Sequence, residues 1–310
     1  MGGQEHEDLE RILFEKNANA IPLSYTFLKY ITNDFSDERV IGSGGFGVVY
    51  KGVLRNGNVA VKKLYRTDDI SDKQFEDELF CLISVKHKNI VRLLGYCSNV
   101  SREVVDLNGR TILADVEQRF LCFEYIPNQS LKQYLEDESY GREWDTRYHL
   151  IEGICLGLQY LHSQQRINHL DLKPENILLD YGMVPKITDF GLSRRFGGDK
   201  SRILTKNICG TPGYLAPEYL NNGQISFKSD IYCLGIIIGK ILRANNDFPD
   251  FKNLHTSQVI DSPQMERCIE IAQLCMDADE HKRPTIDEII GMLNEAQRSR
   301  SNTLPSLEVN

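Results

Sequence analysis

The sequence predicts an α+β protein of two lobes: a small antiparallel β-sheet lobe with one key helix, then a larger, mainly helical lobe. Three observations predict it. From Val40 to about Tyr125, β-prone runs alternate with turn signals. One helix-compatible stretch interrupts that region, from Ser71 to about Ser84. From Leu131 onward apolar residues recur at helical spacing. The chain has 310 residues, 41% hydrophobic and 26% charged, an ordinary globular balance with enough length for a sizeable core.

Taken in order, residues 1–35 carry an acidic helical pattern on Leu9, Ile12 and Leu13, then a second pattern opening at Ser24, a fitting N-cap. Val48-Val49-Tyr50 and Val59-Ala60-Val61 flank the turn-like Arg55-Asn56-Gly57-Asn58 and predict a hairpin. In the Ser71 stretch, Phe75, Leu79, Leu82 and Ile83 share one helical face. The long connection Ser98 to Arg119, with the turn signal Asn108-Gly109, reads as an extended surface hairpin, either a tolerated insertion or a partner surface. Leu150-Ile151, Ile154, Leu158 and Leu161 mark a helix of the second lobe. The end, residues 297–310, is polar, Ser-rich and aperiodic, and is expected to be a disordered tail.

Lys plus Arg total 36 and Asp plus Glu 44, a net charge of −8, which argues against a nucleic-acid partner. The eight cysteines are scattered with no C-x-x-C pair, so they read as reduced core thiols of a cytosolic or nuclear protein. No signal peptide is evident. The longest membrane-like run, Ile231 to Leu242, is broken by Lys240 and falls short of the ~20 apolar residues a span needs, so no transmembrane segment is expected. The Met1-Gly2 start invites acylation, but His6 stands where that motif wants Ser or Thr.

The chemistry-bearing motifs begin with Gly42-Ser43-Gly44-Gly45-Phe46-Gly47. Glycines let backbone N–H groups approach phosphates with no side chain in the way. A dinucleotide fold would need a helix next, whereas Val48-Val49-Tyr50-Lys51 is β-prone, so the loop caps a hairpin; the P-loop pattern is absent. Lys62 follows in the apolar strand Val59-Ala60-Val61. A buried ammonium needs an anionic partner, and phosphates or the carboxylate of Glu78 would provide one; the alternative is a snorkelling surface lysine. Lys63 should face the other way.

The strongest signal is His169-Leu170-Asp171-Leu172-Lys173-Pro174-Glu175-Asn176, followed by Asp189-Phe190-Gly191 and Ala216-Pro217-Glu218. This order, with Val59-Ala60-Val61-Lys62 upstream, resembles the eukaryotic protein kinases over roughly Phe35 to Ala296. The resemblance implies a two-lobed kinase fold and transfer of the γ-phosphoryl group of ATP. Asp171 would orient the substrate hydroxyl and accept its proton, Lys173 would neutralise charge on the moving group, and Lys62 with Glu78 would hold the phosphates. Asn176 and Asp189 would bind Mg²⁺ (or Mn²⁺) through hard oxygens. ATP would lie between the lobes, against Ile41, Gly42, Ser43, Gly44, Gly45, Phe46, Gly47, Val49, Ala60, the gatekeeper Phe123, the hinge Glu124, Tyr125 and Ile126, and Leu178. Lys173 within Asp171-to-Asn176, and Gly210-Thr211-Pro212-Gly213-Tyr214, resemble the Ser/Thr class. Asp230 resembles the brace of the catalytic loop, and Arg283 the partner of Glu218.

Within kinases, Thr32-Asn33-Asp34-Phe35-Ser36, Asn89 to Cys97 and Glu124 to Leu131 resemble plant receptor-like kinases. The implied division is a juxtamembrane-like segment (1–35), a nucleotide-binding small lobe (36–126), a catalytic and substrate-binding large lobe (127–296) and the tail (297–310). The chain then reads as a receptor-like cytoplasmic kinase or a fragment of a receptor, a monomer in the cytoplasm or at the plasma-membrane periphery. Its partners would be protein substrates with Ser or Thr and a membrane receptor. Leu170 stands where most kinases have the Arg of H-R-D, which pairs with an activation-loop phosphate. The chain thus resembles the subgroup lacking that Arg, associated with plant defence, and Ser201 and Thr205 are not expected to switch it on through such a pair. The loop's Arg194, Arg195, Lys200, Arg202 and Lys206 are either a solvated basic face or a contact for phosphate or an acidic partner. Lys240 replaces a frequent Glu, and Arg243 to Ser262 is shorter and more polar than the family's usual helix, which puts substrate docking in question and keeps open a kinase-shaped scaffold with little turnover. A small-molecule phosphotransferase is the third reading.

Overall fold

The β-prone runs of the first 125 residues assemble into one six-stranded sheet in a computed structural model, which describes residues 2–65, 71–107, 110–137, 143–198, 201–245, 247 and 263–303. Two helices lead in, α1 (Gly2–Phe14) and α2 (Tyr25–Ile31), with the short strand β1 (Ile21–Pro22) between them. The strands β2 (Val40–Gly44), β3 (Gly47–Leu54) and β4 (Gly57–Leu64) form a meander, followed by α3 (Ser71–Leu82) and the long hairpin β5 (Leu93–Leu107) and β6 (Arg110–Glu124). The sheet order is β1-β5-β6-β4-β3-β2, with β1 parallel to β5 and the other pairs antiparallel.

Register decides what each face of this sheet does. Val49 opposes Lys62, Lys62 opposes Leu121, and Ala60 opposes Phe123, so Val49, Ala60, Lys62 and Phe123 share one face. On the opposite face Val59, Val61, Phe120 and Cys122 form a core with Leu9 and Ile12 of α1 and with Phe27, Leu28 and Ile31 of α2. The leading segment is therefore part of the sheet unit's core, which sequence reading as a separate juxtamembrane-like stretch does not convey. Ser24 caps α2, accepting from the Phe27 N–H at 3.2 Å, and its own N–H and hydroxyl donate to Glu5 of α1 at 2.7 and 2.8 Å. Arg92 closes the end of α1, donating to the carbonyls of Glu15 and Leu13 at 2.6 and 2.7 Å.

The predicted turn tightens to Arg55-Asn56, since Leu54 pairs with Gly57. The extended hairpin runs without a break from Cys97↔Phe120 to Leu107↔Arg110; its tip, 108–109, lies outside the described residues. Ile83 falls beyond α3 and is exposed, against its expected place on the inner face.

The second unit comprises residues 126–310 together with His87–Ile90. That tetrapeptide lies inside the span 36–126 expected for the small lobe, yet its bonds lie in the helical unit. Asn89 Nδ2 donates to the Pro185 carbonyl and its own carbonyl accepts from the Ile187 N–H, both at 2.9 Å. The helices are α4 (Leu131–Glu136), α5 (Trp144–Gln159), α6 (Pro217–Asn222), α7 (Phe227–Arg243), α8 (Pro263–Cys275) and α9 (Ile286–Thr303). Short strand pairs accompany them: β7 (Ile167–Asn168) with β10 (Arg194–Arg195), β8 (Ile177–Leu179) with β9 (Pro185–Ile187), and β11 (Arg202–Leu204) with β12 (Gln224–Ser226). Apolar around nearly its whole circumference, α7 is buried from Ser229 to Leu242 except for Tyr232. The tail expected to be disordered from residue 297 instead continues α9 to Thr303; these seven polar residues extend a helix that is already nucleated, which costs less than starting one. The questioned stretch after Arg243 lies outside the described residues from 248 to 262. Among the described residues, no helix is long and apolar enough to cross a membrane.

Candidate active site

In the sheet unit, the glycine-rich loop is the turn of the β2–β3 hairpin, closed where Gly44 pairs with Gly47. A Cβ on Gly47 would sit 2.2 Å from the Lys63 carbonyl oxygen, so only glycine fits there. Gly44 and Gly45 face open space, a side-chain-free edge at which backbone N–H groups are accessible to a phosphate. On the adjoining face Lys62 Nζ bonds Glu78 Oε1 at 2.8 Å; Lys62 is 7% and Glu78 1% exposed. This burial removes the snorkelling reading of Lys62. The pair joins β4 to α3, and the Phe46 ring lies 5.8 Å from the ammonium. Lys63 points the other way, over Phe35 at 5.4 Å. Of the other proposed adenine contacts, Phe123 is buried, Val49, Ala60, Glu124 and Tyr125 are half-buried, and Ile41 and Ser43 are exposed on β2.

In the helical unit, the catalytic-loop residues converge on one carboxylate. Asp171 Oδ2 accepts from Lys173 Nζ at 2.7 Å and Asn176 Nδ2 at 3.1 Å, and Oδ1 accepts from Thr211 Oγ1 at 2.7 Å. Lys173 Nζ also donates to Thr211 Oγ1 at 2.7 Å, closing a triangle of Asp171, Lys173 and Thr211. The loop is braced from beneath by Asp230, fully buried near the start of α7. Its Oδ2 accepts from the His169 N–H at 2.6 Å and its Oδ1 from the Leu170 N–H at 2.8 Å, while His162 Nε2 lies 2.9 Å from Oδ2. Those bonds hold Leu170 at φ 68°, a left-handed conformation that a branched side chain adopts only when its surroundings impose it. His169 Nδ1 accepts from the Asp171 N–H at 3.3 Å and Nε2 faces the Thr188 carbonyl at 3.0 Å, which puts the ring proton on Nε2. The His169 ring meets Phe190 edge-on at 5.0 Å.

Asn176 precedes β8 and Asp189 follows β9, so the pairing Ile177↔Ile187, with the Thr188 N–H donating to the Asn176 carbonyl at 2.9 Å, brings them to the same end of a hairpin. Asp189 has φ 66°. Both Nδ2 bonds of Asn176 go to Asp171, leaving its amide oxygen as the donor a metal would meet. Among the described residues no cluster of three or more His, Cys, Asp or Glu is placed to hold a metal by itself. A hard-oxygen pair of this kind fits an ion that completes its shell with phosphate oxygens and water.

Among the described residues of the segment from Asp189 to Glu218, three arginines are bonded. Arg194 donates to the carbonyls of Leu192 and Ser193, Arg195 to Gln165, and Arg202 meets Glu280 at 2.7 Å. These contacts favour neither expectation for the basic loop, since Arg194 bonds within the segment while Arg195 and Arg202 bond other parts of this chain; Asp199 and Lys200 lie outside the described residues. Leu170 packs with Phe196, Ala216, Tyr219 and Ile225, an apolar cluster. Glu218 and Arg283 form a bidentate pair at 2.7 and 2.9 Å. Lys240 is buried with its ammonium 5.2 Å from the Tyr214 ring; desolvation lowers its pKa, opposed by the charges of Glu175 and Asp247. Thr211 and Glu280 were not singled out as site residues by sequence reasoning. Thr211 stood within a recognised motif, whereas nothing local marks Glu280.

The comparisons agree with this geometry. The protein kinase domain family matches residues 35–295. Cysteine-rich receptor-like protein kinase 7 of Arabidopsis thaliana is 39% identical over 88% of this chain and 44% of its own length. Cysteine-rich receptor-like protein kinase 6 of Oryza sativa subsp. japonica is 37% identical over 94% of this chain and 43% of its own. The chain thus spans less than half the length of the curated relatives it matches. Protein kinases use ATP and a divalent metal ion and act on proteins. The chain belongs to the protein kinase domain family, and the kinases it resembles are plant receptor-like kinases.

Proposed function

We propose that the chain is an active serine/threonine protein kinase of plant receptor-like signalling, working in the cytoplasm on Ser or Thr of protein substrates. The observation that carries this reading is the triangle of Asp171, Lys173 and Thr211, which fixes a carboxylate, a cation and the loop 210–214, read as the substrate-docking loop, in one array. When bound, ATP supplies the phosphoryl group, and Mg²⁺, held by Asn176 and Asp189, neutralises its charge. Asp171 receives and orients the substrate hydroxyl and takes its proton, while Lys173 holds positive charge beside it. Lys62, oriented by Glu78, and the backbone of Gly42 to Gly47 hold the phosphates. Residues 36–126 then serve nucleotide binding and 127–296 catalysis and docking. The resemblance to kinases lacking the Arg of H-R-D supports a defence role and independence from phosphate at Ser201 and Thr205.

The test is labelled-ATP incorporation into a protein substrate with Mg²⁺, comparing wild type with Asp171→Asn and Lys62→Ala. Incorporation on Ser or Thr by wild type, reduced by about 100-fold or more in both variants, is expected. A folded, ATP-binding wild type that transfers nothing across several substrates and metals would replace this reading with the scaffold.

A further inference from the structure

We infer that Glu280 is a positioning residue for phosphoryl transfer, anchoring the segment before the docking loop through Arg202 with no phosphate in the tie. The inference rests on the protein-kinase reading. Glu280 begins the single 3₁₀ turn Glu280–Lys282 and is 7% exposed. A carboxylate so buried is tolerated only where cations and donors surround it. Its Oε1 accepts from Arg202 Nη2 at 2.7 Å and Gln224 Nε2 at 2.6 Å, and its Oε2 from Ser226 Oγ at 3.2 Å. Arg202 lies on β11 and the other two on β12, in the register Arg202↔Ser226 and Leu204↔Gln224. One carboxylate thus grips both strands across their whole pairing. His281 Nε2 stands beside it, 3.6 Å from Glu280 Oε1 and 3.4 Å from Arg202 Nη2.

Alternation along β11 gives the tie a counterpart. While Arg202 reaches Glu280, Ile203 packs against the cluster of Leu170, Phe196, Tyr219 and Ile225. Gly223, at φ 64°, lets the end of α6 meet this strand: its carbonyl accepts from the Thr205 N–H at 2.9 Å, and a Cβ there would lie 1.9 Å from the Thr205 carbonyl oxygen. Three residues after Glu280, Arg283 grips Glu218. The turn with Glu280 and the Arg283 that follows it therefore anchor the segment at 202 and at 218; the docking loop with Thr211 lies between them, where the Tyr219 hydroxyl also accepts from the Cys209 N–H and donates to the Cys209 carbonyl, both at 2.9 Å. Releasing the first anchor lets Thr211 wander from Asp171 and Lys173, which weakens capture of the protein substrate and leaves the sheet unit's glycine loop and Lys62–Glu78 pair untouched.

The experiment uses the purified chain, casein as substrate, and five proteins: wild type, Glu280→Gln, Arg202→Gln, the double variant and Arg202→Lys. Glu280→Gln keeps one carbonyl acceptor, for Gln224, replaces the oxygen that faces Ser226 with an NH₂ that can donate to the Ser226 hydroxyl, and removes the charge. Each Gln variant is expected to raise the casein KM by about 3- to 10-fold, as fits a charge-assisted bond to a half-exposed arginine. The ATP KM should stay within about 2-fold of wild type; the double variant should be no worse than either single, and Arg202→Lys should recover part of the loss. Trypsin should cut faster at Arg194, Arg195 and Lys206 in the Gln variants. Unchanged casein KM and tryptic rates, or losses that add in the double variant, would overturn the inference. If wild type fails to phosphorylate casein, the kinase reading fails on that substrate, while the tryptic rates still decide whether Glu280 anchors the segment. Should Glu280→Gln unfold, Arg202→Gln, at a half-exposed side chain, carries the same decision.

Discussion

Arg283 is the largest fully buried side chain among the described residues, and it carries a charge. Its guanidinium is matched by Glu218, by the carbonyls of Lys228 and Asp277, and by the Tyr232 ring at 5.0 Å. Every donor has somewhere to go, so desolvation is offset only while the set is complete. Arg283→Met strands the Glu218 carboxylate and should destabilise the protein by about 3–5 kcal/mol, read from the urea midpoint at constant m-value. Adding Glu218→Leu should recover part of that loss, because an apolar pair needs no compensation; a double variant worse than the single would contradict this account. The motif letters Ala216-Pro217-Glu218 and Lys282-Arg283-Pro284 made this pair legible in advance, whereas the Glu280 anchor was not. Its partners come from residues 202, 224 and 226, and no local spacing announces such a meeting.

At the scale of elements, α1 is an outer layer of the sheet unit. It presents Leu9 and Ile12, both essentially unexposed, to the face of the sheet opposite Lys62, and Glu10 bonds Asn56 in the β3–β4 turn at 2.8 and 3.1 Å. Its far end is held by Arg92, and Lys86 bonds the connection just beyond, at the Asn17 carbonyl and Asn19 Oδ1. Leu9→Ala should therefore cost about 2–5 kcal/mol, a core-cavity penalty rather than the near-zero effect of a loose leader. Thermal and urea unfolding of that variant check it, and a shift below about 0.5 kcal/mol would return α1 to the status of an appendage. The helical period on Leu9, Ile12 and Leu13 was readable from the sequence. Which surface it covers was not, because an amphipathic stripe states that a partner exists without naming it.

Across the whole molecule, all eight cysteines are free thiols, and Cys209 is the exposed one. Burial pushes Cys97 up to about 11 and Cys122 and Cys268 up to about 12, with Cys155, Cys233 and Cys275 raised in the same direction. The folded thiols hold their protons more tightly than unfolded ones, whose pKa is near 9, so this contribution is intact below about pH 9 and is lost as pH climbs toward the folded values. Iodoacetamide at about pH 7.5 should label native protein once, at Cys209, and unfolding should release the rest. Labelling of Cys122 or Cys155 in native protein would contradict the buried assignment. By itself the sequence determined the fold class, the kinase motifs, the strand holding Lys62, the hairpin of β5 and β6, and the apolar periods of the main helices. These are local: alternation, helical spacing, turn residues and short motifs act over a few neighbouring positions. Only the tertiary structure decided that α1 and α2 back the sheet, that His87–Ile90 joins the helical unit, that Thr211 closes on Asp171 and Lys173, and that Glu280 anchors Arg202. Each of these brings together side chains far apart in the chain, and such meetings depend on how whole elements pack, which no window of sequence contains.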